Sequence, residues 1–85
     1  MGRFYVYILK CQDNTFYTGY TADLSRRLKE HNTGRGAKYT RGARKPVELL
    51  YCEDHNSIQD AMRREREIKR LSREKKIQLM KNKVP

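Results

Sequence analysis

Phe4-Tyr5-Val6-Tyr7-Ile8-Leu9, followed after Gln12-Asp13-Asn14-Thr15 by Phe16-Tyr17-Thr18-Gly19-Tyr20, decides the fold. The first run carries aromatic and β-branched side chains on both parities, as expected of a strand buried on both faces and central in its sheet. Turn-forming residues separate it from the second run, so the pair reads as an antiparallel hairpin. A four-residue loop over 12–15 would pair Tyr7 with Tyr20 and turn Tyr17 to the opposite face. An odd loop count or a bulge puts Tyr7 and Tyr17 on one face.

Working outward, Thr21 is expected to cap a helix over about 22–31, with Asp23 in its first turn and Gly34 beyond its end. Asn32 to Lys45 (NTGRGAKYTRGARK) holds three glycines, five Lys/Arg and no acid, and reads as a basic loop. Pro46 to Cys52 is the third strand candidate, its proline confined to the first residue. Ser57 with Asp60 resembles a capping box for a charged helix through about Arg70. Ser72 restarts a last helix ending near Asn82, with Ile77 and Met80 as its apolar stripe. The expected fold is α+β: one small domain over 1–85, core about 3–81, with a three-stranded antiparallel sheet flanked by helices in ββαβαα order.

The chain has 85 residues, 20 Lys+Arg against 10 Asp+Glu and a net charge of +10, which excludes a two-domain enzyme with an interdomain cleft. The longest uncharged apolar run, Phe4–Leu9, falls far short of the roughly 20 residues of a membrane span. With no signal-peptide pattern, a cytoplasmic protein without a membrane partner is expected. Cys11 and Cys52 are then expected as reduced thiols, with no disulfide. A mean hydropathy of −1.04 approaches the disordered regime, but the apolar residues fall in periodic clusters, which favours a folded chain. So large a positive surplus suits a polyanion, and nucleic acid is the obvious one; a merely solvated basic surface is the plainer alternative.

Helical-wheel arithmetic at about 100° per residue puts Leu24, Arg27, Leu28 and His31 on the stripe of the first helix that should face the sheet. In the second helix it centres the inward stripe on Ile58 and Met62, with Ala61, Ile68 and Lys69 alongside and Glu65 in its middle. Arg63, Arg64, Arg66 and Glu67 fall on the other face. A buried unpaired charge costs several kcal/mol. Arg27 and Glu65 are therefore expected either as a salt bridge pinning the helices or, with His31, as groups converging on a cleft over the hairpin. His31 could equally be a helix-terminal histidine satisfied by a backbone carbonyl. A zinc set of Cys11, His31, Cys52 and His55 has only one close pair, Cys52 and His55, where zinc motifs normally have two. The basic final helices could form an interfacial amphipathic surface, but their interspersed acids and lack of bulky aromatics argue against it.

These residues resemble the GIY-YIG nuclease superfamily, in particular its short stand-alone members. Tyr5-Val6-Tyr7 and Tyr17-Thr18-Gly19 stand as the two motifs, ten residues apart from tyrosine to tyrosine. Arg27 follows Tyr17 by ten residues and Glu65 lies four from both Ala61 and Lys69, as do the family's helix arginine and metal-binding glutamate. His31 and Asn32 fit a common version of the pattern. Tyr5 replaces the glycine of the first motif and Thr18 the isoleucine of the second.

The resemblance implies an endonuclease that hydrolyses phosphodiesters of DNA rather than RNA, with structure-directed or low sequence specificity. Tyr7 would be the general base, Tyr17 its orienting partner and His31 an assistant. Arg27 would brace the phosphate with a fork that Lys cannot reproduce. Glu65 would hold one Mg²⁺ or Mn²⁺, weakly without substrate because a single carboxylate binds it. Arg35, Lys38, Arg41, Arg44 and Lys45 of the loop, with Arg63 and Lys69 of the second helix, would grip phosphates without reading bases. A chain this short has no room for a targeting domain, so low affinity or a protein partner follows. The alternative is a non-catalytic nucleic-acid-binding module that retains the nuclease fold.

Overall fold

The computed structural model describes residues 3–33 and 47–82. Strands β1 (Phe4–Lys10) and β2 (Phe16–Thr21), helix α1 (Leu24–Asn32), strand β3 (Glu48–His55) and helices α2 (Ile58–Lys69) and α3 (Arg73–Asn82) follow one another along the chain. The sheet order is β2-β1-β3 and both pairings are antiparallel, so the apolar run at Phe4 is the central strand. The basic stretch 34–46, with Arg35, Lys38, Arg41, Arg44 and Lys45, lies outside the described residues. Among the described residues, no helix is long and apolar enough to cross a membrane.

The hairpin takes the odd loop. Cys11 N–H donates to the Thr15 carbonyl at 2.8 Å and Asn14 N–H to the Cys11 carbonyl at 2.9 Å, which leaves three residues in the turn. Asn14 closes it with φ of 68°, a left-handed conformation that asparagine adopts more readily than most residues. Asp13 Oδ1 accepts from the Thr15 hydroxyl at 2.6 Å and steadies the corner. The resulting register pairs Tyr7 with Gly19 and Leu9 with Tyr17. Tyr7 and Tyr17 therefore share a face.

Each face of β1 fills its own core, because side chains alternate along a strand. Tyr7, Leu9, Cys11 and Val47 cluster on one face with Tyr17, Leu24, Leu28, Leu49 and Cys52, under α1. Val6, Ile8, Tyr51, Ala61 and Ile68 cluster on the other with Phe16, Tyr20, Leu79 and Met80, under α2 and α3. Val6, Ile8 and Leu9 are fully buried, each contributing about 1.5–3 kcal/mol of transfer free energy. Cys11 is buried and Cys52 half-buried, and the two form no disulfide. Cys52 pairs with Tyr7 and His55 with Phe4, so those two side chains leave opposite faces and cannot share a metal.

Local chemistry moves several boundaries. Asp23, rather than Thr21, is the cap of α1 and accepts from Arg26 N–H at 3.0 Å, while Thr21 Oγ1 accepts from Asp23 N–H at 3.1 Å. Ser57 caps α2 as expected, accepting from Asp60 N–H at 3.1 Å. Ser72 Oγ accepts from Lys75 N–H at 3.2 Å at the start of α3. β3 runs on to His55, past the expected end at Cys52, because its pairing with β1 continues through Val6 and Tyr5 to Phe4, opposite His55. Arg73 donates to the Asn14 carbonyl at 2.8 Å and stacks on Phe16 at 4.1 Å, fastening α3 to the hairpin turn.

Helix α2 is rotated from the expected stripe. Ala61 and Ile68 are its fully buried residues, whereas Ile58 and Met62 are 40% and 37% exposed. Arg64, expected in solvent, donates from Nε to Glu53 Oε1 at 2.6 Å, and Tyr51 donates its hydroxyl to Glu53 Oε2 at 2.8 Å. Glu53 is half-buried, and burial alone would raise its pKa, but these two donors more than offset that and hold it below the usual carboxylate range. The ion pair turns the Arg64 side of α2 toward β3 and lifts Ile58 and Met62 off the sheet.

Thr18 and Gly19 are neighbours on opposite faces of β2, and opposite outcomes are expected at them. The Thr18 hydroxyl is buried with no hydrogen-bond partner among the described residues, so Thr18→Val should raise stability by about 1 kcal/mol. A Cβ on Gly19 would meet Tyr7 Oη at 2.6 Å and Tyr17 Cε2 at 3.1 Å, so Gly19→Ala should lower stability by about 1–3 kcal/mol. Urea denaturation of both variants checks the pair, and equal effects at the two positions would contradict this packing.

Candidate active site

The face of the hairpin under α1 carries an aromatic cluster. Tyr7 packs on Tyr17 with ring centroids 6.4 Å apart, and His31 stands edge-on to both, at 5.9 Å from Tyr7 and 5.2 Å from Tyr17. The Tyr7 hydroxyl and His31 Nε2 are hydrogen-bonded at 3.0 Å. His31 reaches inward because it is the fourth member of the stripe Leu24, Arg27, Leu28, His31. Through Nε2 its partner is the phenol. Asn32, next to it, accepts from Val47 N–H at 2.7 Å through Oδ1 and ties the end of α1 to the chain entering β3.

Arg27 lies beside the Tyr7 hydroxyl and is held from the other side by Glu30, its NH1 donating to Oε1 at 3.0 Å. Burial works against the guanidinium charge, but Glu30 and the phenol more than compensate and hold its pKa above the ordinary value. No ion pair with Glu65 forms; Glu65 meets Lys69 at 3.5 Å on its own helix. The bridge pinning the two helices is thus replaced by two local pairs. Arg27 remains 30% exposed and borders a surface hollow of about 300 Å³ with Thr21, Ala22, Asp23, Arg26 and Glu30. A larger hollow of about 530 Å³ lies between Tyr5, Leu24, Leu28 and Leu49, and contains none of Tyr7, Arg27 or Glu65.

Glu65 comes from the other side of the sheet. On a helical wheel, Arg64 and Glu65 flank the buried Ala61 and Ile68 ridge by about 50° on opposite sides. With Arg64 anchored to Glu53 on β3, Glu65 overhangs the β2 side, and its charge reaches Tyr7. Its side chain is 17% exposed. Among the described residues, no group of three or more His, Cys, Asp and Glu could hold a metal ion. A lone, partly exposed carboxylate nevertheless fits a hard divalent ion that keeps its waters and takes further oxygens from a phosphate. Arg63 and Lys69 point away from the aromatic cluster and pair with Asp60 at 2.7 Å and with Glu65.

Burial governs the protons here. Tyr7 is 1% exposed and His31 0%. Burial pushes the Tyr7 phenol up to about 12 against the pull of Arg27, and burial, with the Arg27 charge, brings His31 down to about 4. Both are neutral at pH 7. Glu30, the Arg27 partner, and Gly19, the glycine that admits the Tyr7 ring, are not singled out by sequence reasoning. Glu30 sits three residues after Arg27 and Gly19 is part of a quoted motif, so both signals were present.

A folded-state pKa of about 4 against 6.5 for an ordinary histidine means that the unfolded chain takes up a proton first as pH falls. The contribution of neutral His31 is whole above pH 6.5 and is lost progressively toward pH 4. Stability of the wild type should therefore fall across that window by about 2–3 kcal/mol more than that of His31→Gln. Urea midpoints at several pH values measure it; parallel curves would mean that His31 is charged in the folded state.

The family model of the GIY-YIG catalytic domain matches residues 3–78. A UPF0213 protein of Streptococcus agalactiae serotype V is 57% identical over 77 residues, 91% of this chain and 86% of that protein. A UPF0213 protein of Natronomonas pharaonis is 58% identical over 76 residues, 89% of this chain and 88% of its own. The solution NMR structure of a UPF0213 protein from Bacillus halodurans is 54% identical with a TM-score of 0.62, covering 94% of this chain and 84% of that one. The solution NMR structure of the protein EF2693 from E. faecalis is 43% identical with a TM-score of 0.64, covering 96% of this chain and 90% of that one. Family model and relatives alike span most of the chain, in sequence and in structure, and the chain belongs to the GIY-YIG family.

Proposed function

We propose that this protein is an endonuclease hydrolysing phosphodiester bonds in DNA, with its site built from Tyr7, Tyr17, Arg27, His31 and Glu65. The observation that carries the reading is that Tyr7, Tyr17, His31 and a partly exposed Arg27 meet on the α1 face of the hairpin, with Glu65 on α2 across the sheet. Hydrolysis needs a proton acceptor for water, charge balance on the phosphoryl oxygens and help for the leaving oxygen. Arg27, exposed at one edge and fixed by Glu30, offers its free N–H groups to phosphate oxygens. Tyr7, once its own phenol proton has been lost to bulk water, would take the proton of the attacking water, its ring oriented by His31 and confined by Tyr17. Glu65 would hold Mg²⁺ or Mn²⁺, and such an ion, when bound, supplies Lewis-acid stabilisation of the charge that develops. Arg63, Lys69 and the basic stretch 34–46 hold flanking phosphates.

A second reading, a binding module in which these residues are structural, draws on the burial of Tyr7 and His31. Cleavage of branched and single-stranded DNA with Mg²⁺ or Mn²⁺ separates the two. Glu65→Ala and Arg27→Ala should each slow cleavage at least about 100-fold, and Arg27→Lys should not restore it. Unchanged cleavage by Glu65→Ala places the reacting centre elsewhere. Absence of any cleavage, with binding that weakens steeply with salt, makes the module reading correct.

A further inference from the structure

We infer that the β2-side flank of α2 is a track for an unpaired nucleic-acid strand, with Ile58 and Met62 contacting its bases beside the bond to be cut. This rests on the nuclease reading of Glu65. The two side chains are the exposed large hydrophobics among the described residues, at 40% and 37%. They follow one another at i, i+4. Measured from the buried Ala61 and Ile68 ridge, Glu65, Ile58, Lys69 and Met62 all lie between about 50° and 110° to the same side. Arg64 lies on the opposite side, bound to Glu53 at 2.6 Å. The exposed apolar pair is therefore continuous with the candidate carboxylate.

Spacing suits nucleotides. At about 1.5 Å per residue, Met62 lies about 4.5 Å and Ile58 about 10.5 Å along the axis from Glu65. A stacked strand advances about 3.4 Å per nucleotide, so the pair covers the first to third positions from the scissile phosphate. Lys69 lies about 6 Å the other way and offers charge to the backbone. Apolar side chains gain nothing from phosphates; what they can cover on a nucleic acid is the face of a base or sugar. In a duplex the base faces are stacked inside, so an aliphatic pair beside the carboxylate calls for bases already unpaired. Charge complementarity favours this occupant over a second protein: α2 also carries Arg63, Arg66 and Lys69 in a chain of net charge +10.

The test is fluorescence anisotropy of the full chain with a labelled single-stranded DNA oligomer and with the matching blunt duplex, in EDTA so that no cleavage is needed. Ile58→Ser combined with Met62→Ser should weaken single-strand binding by about three- to tenfold, leave duplex binding unchanged, and keep the slope of log affinity against log salt, because no charge is removed. Both positions are exposed, so an unaltered circular dichroism melt accompanies this result. Equal loss on both DNAs, or on neither, overturns the inference. So does a concentration-dependent dimer, measured by light scattering, that the double variant abolishes while DNA binding stays whole. Lack of cleavage by the wild type would count against the nuclease reading alone, since this measurement does not depend on it.

Discussion

The register of the β1–β2 hairpin is the constraint on which everything else depends, and it is fixed by three residues. Asn14 in a left-handed conformation closes an odd-numbered loop, and the parity of that loop decides which face Tyr17 occupies. Side chains alternate with period two, so adding one loop residue would send Tyr17 under α2 and bring Phe16 or Thr18 to the α1 face. Tyr7 would then lose both its ring neighbour and the glycine opposite it, since a side chain at the pairing position would collide with the phenol. The aromatic cluster depends on turn chemistry well outside it.

A second constraint sets the angle of α2. Hydrophobic burial alone would have turned Ile58 and Met62 inward, and the transfer free energy of two such side chains is several kcal/mol. The observed orientation instead buries small Ala61 and Ile68 and seats Arg64 of α2 on Glu53 of β3, which Tyr51 and His55 flank. A half-buried carboxylate such as Glu53 needs its donors, because unpaired it would carry a desolvation penalty of comparable size. The same rotation leaves Glu65 at the rim rather than beneath the helix. A carboxylate that is to meet a polyanion has to sit there, and Glu53 and Arg64, one strand away, hold it in place.

Strand order, helix number and the inward stripe of α1 were legible from local pattern, because alternation, helical period and the caps at Ser57 and Ser72 are properties of short segments. The α1 cap shifted from Thr21 to Asp23 since both residues can accept a backbone N–H and only the path of the chain chooses between them. Thr18 was readable as a departure from the motif, but not as a buried hydroxyl without a partner. Arg64 and Glu53 lie eleven residues apart on different elements, and no periodicity links them. With that pair unseen, the wheel for α2 was centred on its largest apolar residues and came out rotated. In the candidate site the spacing of Tyr7, Tyr17, Arg27 and Glu65 was legible, but the local pairs of Arg27 with Glu30 and Glu65 with Lys69, in place of the long-range bridge, were not.

The proton balance of the cluster narrows the part His31 can play. The Tyr7 phenol stands near 12 and the His31 imidazole near 4. Moving the proton from one to the other in the resting protein would require on the order of 10 kcal/mol before the attraction of the resulting ions is counted. In the resting protein burial keeps the phenol proton on Tyr7 and the imidazole neutral, and the hydrogen bond between them fixes the direction of the Tyr7 hydroxyl. Arg27 is the permanent charge in the cluster and already pulls the phenol downward, whereas Glu65 in its bare form pushes it up. Balancing the Glu65 charge removes that upward push while leaving Arg27 in place. Burial remains the largest influence on the Tyr7 phenol, and the push from Glu65 on α2 is the smaller one that the angle of that helix sets.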